Sequence, residues 1–177
     1  MKKLILPILF AICLSFQSYG QTLYGIGTVW DDNFSEWTVF TGEGEGYLKI
    51  KWLNDPSEWE YYINDEQFGT IRLKWKDDPT HWEIRGSNGE IVTARTQWPN
   101  DLSSWRITNN STTVNLKPKW SNDLNEWKFK DSRSGMMYLE TAWTNDFRDW
   151  EIDDKTINLS IHMKMAIVFL TIFHSVP

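Results

Sequence analysis

Pairs of acidic and amide side chains recur along the sequence at a spacing that could bind calcium, whose ions prefer such oxygen ligands. The segments lack both the Gly-rich spacing of repeat calcium loops and the acidic loop pattern that ends in Glu. Asn and Asp are also favoured in turns and helix caps. We therefore interpret the pairs as turn residues and expect no metal and no cofactor. The pairs are Asp32-Asn33, Asn54-Asp55, Asp77-Asp78, Asn100-Asp101, Asn122-Asp123 and Asn145-Asp146.

Tryptophans are the second group that could act chemically, as platforms on which sugars or nucleobases stack. In the flanking segments they share the alternation phase of aliphatic residues, as in Leu48, Ile50 and Trp52. Residues two apart lie on one face of a strand, so this phase predicts that all 12 tryptophans are buried in the core. They form six pairs with partners seven positions apart: Trp30/Trp37, Trp52/Trp59, Trp75/Trp82, Trp98/Trp105, Trp120/Trp127 and Trp143/Trp150.

A third set of residues is apolar or proline, with one member between the two tryptophans of each pair. If these residues are exposed on one rim, they form a strip for a protein or peptide partner, because contiguous apolar patches are uncommon without a use. If these residues are buried instead, they close one end of the core. The sequence leaves both alternatives open for Phe34, Pro56, Pro79, Leu102, Leu124 and Phe147.

Signs of catalysis are weak. The three histidines, His81, His162 and His174, lie in unrelated contexts, and no Ser or Cys nucleophile signature accompanies them. Carboxylates are plentiful, but none stands out from the repeat as half of an acid–base pair. The formal net charge of −6 is the opposite of what a general nucleic-acid binder needs. We expect no catalytic residues and no nucleic-acid partner.

The tryptophan pairs mark six copies of one unit, whose first tryptophans are 22 or 23 residues apart. Apolar and polar residues alternate before the first tryptophan and after the second of each pair, which is typical of half-buried strands. Each unit therefore reads as strand, turn and strand. We predict an all-β domain over residues 21–154.

Two arrangements of these strands fit the repeat, a β-solenoid and an antiparallel meander that is curled or closed. A solenoid would stack Lys49 near Arg72 in a column of like charges. A meander would place Glu60 between Lys51 and Lys74, and opposite charges across antiparallel strands stabilise a sheet by roughly 0.2–1 kcal/mol each. This charge pattern favours the meander and keeps the solenoid as the alternative.

The first 20 residues resemble no part of the repeat. Met1-Lys2-Lys3 is followed by an apolar run and then by Ser18-Tyr19-Gly20. A basic start, an apolar stretch and small residues at the exit are the signature of a secretory signal peptide. We expect cleavage near Gly20-Gln21 and export to the periplasm, the cell surface or the medium.

Residues 155–177 also lie outside the repeat. The run from Met165 to Phe173 is almost wholly apolar and too short to span a bilayer. We expect this segment to be a buried plug or cap, in the form of a short helix that is capped near Asn158 or Ser160, because repeat arrays need capped ends.

The corner Asn54-Asp55-Pro56-Ser57-Glu58-Trp59 resembles the Asp-rich corners of septoil-knot repeat proteins, over a few residues in each unit. The hairpin period is also similar to that of MORN and choline-binding repeats, although their Gly-Tyr and Gly-Trp signatures are missing. The septoil-knot resemblance implies a small, β-rich repeat fold with unusual chain threading and no known chemistry.

These features favour an exported, non-enzymatic repeat domain with a binding or structural role in the cell envelope or the medium. The alternative is a carbohydrate-binding, lectin-like module, and an envelope hydrolase is the third reading. The expected partner is a protein or a glycan, and we expect no membrane span in the mature chain.

Overall fold

The computed structural model describes residues 21–99 and 101–176, and the predicted signal peptide lies outside this range. The described residues form twelve β-strands and one α-helix. They are β1 (Leu23–Trp30), β2 (Asn33–Thr41), β3 (Gly44–Trp52), β4 (Asp55–Asn64), β5 (Gln67–Leu73), β6 (His81–Gly86), β7 (Ile91–Thr96), β8 (Trp105–Thr108), β9 (Thr113–Trp120), β10 (Asp123–Asp131), β11 (Gly135–Trp143), β12 (Asp146–Thr156) and α1 (Ile161–Ser175).

The strands form a closed antiparallel barrel in which each strand pairs with its neighbours along the chain. Pairing between β1 and β12 closes the sheet and leaves it without a free edge. The prediction of a closed antiparallel meander is confirmed, and the solenoid alternative is wrong. Since strands adjacent in sequence are adjacent in space, the described strands do not have the unusual threading that the septoil-knot resemblance implies.

Charges on the outer face of the barrel pair across the strands, although the register differs from the predicted one. Glu60 lies opposite Lys49, at 3.3 Å, instead of between Lys51 and Lys74. Glu83 accepts hydrogen bonds from Lys74, Arg85 and Arg72. The bond from Lys74 has the largest effect and, with the two arginines, lowers the pKa of Glu83 to about 2.

A bulge interrupts the pairing where each of four hairpins approaches the turn between paired tryptophans. In β3 and β4 the register shifts between the pairs Ile50–Trp59 and Trp52–Asp55. Three residues of β4, 56–58, thus lie opposite Lys51 alone. The hairpins β1/β2, β9/β10 and β11/β12 show the same kind of shift. Bulges bend a strand and are common at barrel rims. We call this end of the barrel the Trp rim.

The tryptophans of the six pairs divide into two sets by burial. The first member of each pair is 55% to 71% exposed, so the prediction that all twelve are buried is wrong for these six. In four hairpins the side-chain alternation does not continue through the bulge, and Trp75 and Trp98 lie beyond the ends of β5 and β7. Sequence phase alone cannot reveal either feature. The second members are at most 5% exposed, as predicted: Trp37, Trp59, Trp82, Trp105, Trp127 and Trp150.

Each buried indole also bonds to the turn beside it. Its Nε1–H donates to the backbone carbonyl three residues earlier, over distances of 2.7 to 3.1 Å. A buried tryptophan needs a partner for this N–H, and a carbonyl displaced from the strand ladder needs a donor. The accepting carbonyls belong to Phe34, Pro56, Pro79, Leu102, Leu124 and Phe147.

The helix α1 lies inside the barrel and occupies most of its interior. Its N-cap is Ser160, whose hydroxyl accepts a hydrogen bond from the backbone N–H of Met163. The residues from Ile161 to Ile172 are all buried, so the helix is enclosed on every side. A barrel of twelve strands is too wide for its own side chains to fill. The predicted capped helix and buried plug are therefore confirmed.

Polar side chains hold α1 in place along its length. The hydroxyl of Tyr61 bonds to the ring of His162 near the start of the helix. The Lys164 ammonium donates to Asp154 at 2.9 Å and to the backbone carbonyl of Gln21 at 2.8 Å. These contacts fix both the depth and the rotation of the helix. In the described part of the chain, no helix is long and apolar enough to cross a membrane.

We expect Trp82→Ala to destabilise the protein by about 3–5 kcal/mol, because it removes a fully buried indole. The matched variant Trp75→Ala, in the same repeat, should cost under about 1 kcal/mol, as surface changes do. Urea unfolding of both variants measures the difference. Equal losses would contradict the division of the tryptophans into two sets.

We expect Asp154→Ala to cost about 3–5 kcal/mol, because it leaves the buried ammonium of Lys164 without this carboxylate. The neighbouring Asp153 pairs with Lys155 on the surface, so Asp153→Ala should cost under about 1 kcal/mol. Thermal unfolding compares the two variants. Identical melting temperatures would show that α1 does not depend on the ion pair inside the barrel.

Candidate functional site

Six exposed tryptophans surround the Trp rim, and we call them the Trp ring. Each lies at or just after the end of the first strand of a hairpin, next to the turn. The barrel is closed, so one tryptophan from each hairpin distributes them around its circumference. Neighbours are two strands apart, or about 10 Å at the usual strand spacing. The ring consists of Trp30, Trp52, Trp75, Trp98, Trp120 and Trp143.

Charged side chains hold individual indoles of the ring against the outer surface of the barrel. The Nε1–H of Trp52 donates to Glu58 at 3.0 Å, and the Lys51 ammonium lies 5.3 Å from the ring centroid. Lys51 also bonds to Glu58 at 2.7 Å. Trp30 donates in the same way to Glu36, at 3.1 Å. The edge of the indole is thereby fixed while more than half of its surface stays open to solvent.

The arrangement recurs in the fifth repeat. Lys119 lies 5.6 Å from the ring centroid of Trp120 and bonds to Glu126 at 2.5 Å. This bond and a second from Tyr138 lower the pKa of Glu126. Bonds from Lys51 and then from the Trp52 indole likewise lower the pKa of Glu58. The carboxylates of Glu58 and Glu126 are therefore ionised over the neutral pH range.

The pairs of Asn and Asp residues form the turns of the Trp rim, as predicted. In every repeat, the second member of the pair accepts a hydrogen bond from the backbone N–H two residues later. Four first members, Asn54, Asp77, Asn122 and Asn145, have φ between 61° and 65°, which Asn and Asp adopt more readily than most residues. Among the described residues, no group of three or more His, Cys, Asp or Glu is placed to hold a metal ion.

The six apolar residues between paired tryptophans divide into two groups. Phe34, Leu124 and Phe147 pack against the core and close its end. Exposed positions on the rim are occupied by Pro56, Pro79 and Leu102. Both alternatives left open by the sequence are thus realised, each in half of the set. Their use by a partner stays a prediction.

The histidines on α1 have structural surroundings. Besides its bond to Tyr61, His162 packs against Gly86, where a Cβ atom would overlap the imidazole ring. His174 stacks on Trp105 with ring centroids 4.8 Å apart. Burial lowers the pKa of both histidines, that of His174 to about 4. Both rings are therefore neutral at pH 7 and serve the packing of the helix.

Sequence reasoning missed the exposure of the Trp ring, although one signal for it was present. In three repeats a Glu directly precedes the second tryptophan, at Glu36, Glu58 and Glu126. These are the three carboxylates that lie beside ring indoles. A tryptophan at a turn, with a carboxylate on the outer face of the partner strand, marks an indole on the outside of the barrel.

Comparison of the chain with family models, with curated proteins and with solved structures finds no significant match. The geometry of the Trp rim is therefore the basis for the function proposed below.

We expect the melting temperature to be the same with and without a calcium chelator, because the Asn and Asp oxygens are engaged in their own turns. A cation at 100 times its dissociation constant would stabilise the fold by about 2.7 kcal/mol. Differential scanning calorimetry in EDTA and in millimolar Ca²⁺ checks this. A chelator-dependent shift of several degrees would instead assign the turn oxygens to a metal.

Proposed function

We propose that this protein is an exported binding module, without catalytic activity, whose Trp ring contacts an uncharged glycan. The observation that carries the proposal is the ring itself. Six indoles, one from each repeat, are 55% to 71% exposed at one end of the barrel. Exposed large apolar side chains that are grouped on a surface are typical of binding sites. Scattered single residues would need no such explanation.

The chemistry of an indole suits a sugar. Its flat apolar face can pack against the C–H face of a pyranose ring, as it stacks on other flat ligands. Exposed polar groups surround the ring at the turns, including Asp31, Asn54 and Asn122. Such groups can exchange hydrogen bonds with sugar hydroxyls. Apolar faces beside polar edges match the two kinds of surface that a sugar presents.

The charge beside the ring favours an uncharged ligand over a nucleic acid. Glu36, Glu58 and Glu126 are carboxylates next to ring indoles, so a phosphate backbone that followed the ring would meet like charges. The formal net charge of −6 adds to this repulsion. Neutral sugars carry no charge and are not repelled by these carboxylates.

Repetition in the ring favours a repetitive ligand. Equivalent tryptophans recur about every 10 Å around the rim. A glycan of identical units can contact two or more of them at once, and linked contacts raise the overall affinity far above that of a single one. We therefore expect binding to strengthen as the oligosaccharide becomes longer.

Export to the envelope or the medium is part of the proposal. It is supported by the signal-peptide signature of residues 1–20. The chain has one cysteine, Cys13, which lies in that segment, so residues 21–177 contain no thiol. A domain of this kind does not depend on the redox state of its compartment.

Titration of neutral oligosaccharides of increasing length, followed by tryptophan emission, tests the proposal. We expect the emission to change and the affinity to rise with length. The double variant Trp52→Ala and Trp120→Ala should bind at least tenfold more weakly, because each stacking contact is worth about 1–3 kcal/mol.

The matched control is Phe68→Ala, which removes an exposed aromatic ring at the other end of the barrel. This variant should bind like the wild type. The proposal fails if no neutral gluco-, manno-, xylo- or N-acetylglucosamine oligomer alters the emission at millimolar concentration. It also fails if the double variant and Phe68→Ala bind such an oligomer equally well.

A protein partner is the second candidate, and it is favoured by the exposed aliphatic residues of the turns. Leu53 is 88% exposed, and Leu102 and Pro79 are exposed on the same rim. Leu53→Asp with Leu102→Asp would abolish binding of such a partner and leave glycan binding unchanged. The two candidates are therefore separable by variants of different residues on one rim.

A further inference from the structure

A cavity of about 480 Å³ opens at the Trp rim, between α1 and the strands β2, β3 and β4. Its walls are formed by Trp37, Ile50, Trp59, Phe169 and Phe173. The volume lies within the usual range for small-molecule sites, which are mostly apolar with a few polar groups. The indole N–H groups of Trp37 and Trp59 donate to the backbone carbonyls of Phe34 and Pro56. Neither N–H is therefore available to a ligand, and both indoles present apolar surface to the cavity.

The cavity exists because the helix is not centred in the barrel. α1 packs against β5–β8 and β10. Phe169 and Phe173 lie 4.7 Å and 4.9 Å from the ring centroid of Trp82, but 5.6 Å and 6.2 Å from that of Trp59. Gly86 on the near side allows this close approach, because a Cβ atom there would overlap the imidazole of His162. The space on the far side is left to the cavity.

The residues at the mouth of the cavity favour an uncharged ligand over an anionic one. Asn33, Ser35, Asn54 and Asp55 line it, and among the described lining residues there is no lysine or arginine. Bonds from Ser57 lower the pKa of Asp55, so its carboxylate is ionised at neutral pH. An anionic head group at this mouth would meet the Asp55 carboxylate, with no cation among the described residues that line the cavity. Uncharged hydroxyl groups find amide, hydroxyl and carboxylate partners there.

The mouth also adjoins the Trp ring. Asn33 is the cross-strand partner of Trp30, and Asp55 is that of Trp52. A ligand whose apolar end enters the cavity therefore emerges at the part of the rim where the hairpins that carry Trp30 and Trp52 turn.

We propose that this cavity binds the apolar aglycone of an uncharged glycoside, whose sugar lies on Trp30 and Trp52. The proposal rests on the function proposed above and adds to it the class of ligand, which is an alkyl or aryl glycoside. One glycoside binds to each protein molecule.

Calorimetric titration with octyl β-glucoside, below its micelle concentration, tests the proposal. We expect saturable binding with one site, at least tenfold tighter than that of glucose or of octanoate. Glucose lacks the tail, and octanoate carries a negative head. Equal affinity for octanoate and the glucoside would overturn the role assigned to the mouth.

Val176 lines the cavity at the end of α1, so Val176→Trp should fill it and weaken octyl glucoside binding at least tenfold. Leu102→Trp enlarges an exposed residue of the same rim outside the cavity, and it should bind like the wild type. Equal binding by Val176→Trp and the wild type would place the tail elsewhere and overturn the proposal.

Methyl NMR of the unmodified protein gives a second readout that needs no variant. The δ1-methyl resonance of Ile50, in the cavity wall, should shift on binding, and that of Ile107, in the core beside β7 and β9, should not. Saturable binding that leaves Ile50 unshifted would contradict the site.

Octanol, which has the tail and no sugar, separates this inference from the function on which it rests. If octanol shifts Ile50 while no glycan binds, the cavity binds apolar tails but the glycoside assignment is wrong together with the glycan function. If oligosaccharides bind through the ring while neither octanol nor octyl glucoside shifts Ile50, the glycan function stands and the cavity proposal is wrong.

Discussion

The architecture depends on one hydrogen bond that is made six times, from a buried indole to a carbonyl of the adjacent turn. The bond gives the buried indole N–H and the turn carbonyl a partner, so the turn at the rim leaves neither polar group unpaired. It also anchors the bulky side chain that builds the core at that end. At this rim the regular alternation ends, at a bulge in four hairpins and beyond the end of the strand at Trp75 and Trp98, and the first tryptophan of each pair lies on the outer surface. Core and candidate site thus have a common origin in each repeat.

Closure of the sheet imposes a second constraint. Six hairpins make a barrel too wide for its inward side chains to fill, and the chain supplies the missing volume with its own C-terminal helix. Because the helix carries polar groups into the interior, each needs a partner, and Tyr61 and Asp154 supply two of them. Gly86 on one side gives the helix room to lie off the axis. The cavity on the opposite side follows from that asymmetry.

Much of this fold could be predicted from the sequence, because repeated spacing and period-two alternation are local signals. The six units follow from them, the cross-strand charges favour the antiparallel meander, and the apolar run after the repeat predicts a buried helix capped near Asn158 or Ser160. The exposure of Trp52 and its five equivalents could not be predicted, because neither a bulge nor the end of a strand changes the spacing of the tryptophans along the chain. The register was also displaced, since Glu60 pairs with Lys49 and charge alone did not distinguish it from Lys51. The off-centre helix depends on contacts between distant segments, which no repeat pattern encodes.

Hydrogen exchange of the indole N–H groups, followed by ¹⁵N–¹H correlation NMR, tests the central claim most directly. Twelve indole signals are expected. The account predicts that six of them, from the tryptophans bonded to turn carbonyls, exchange slowly, and that the six of the Trp ring exchange rapidly. Slow exchange of all twelve signals would show that every tryptophan is buried and would contradict the candidate site. Rapid exchange of all twelve would show that the indole-to-carbonyl bonds do not hold the rim together.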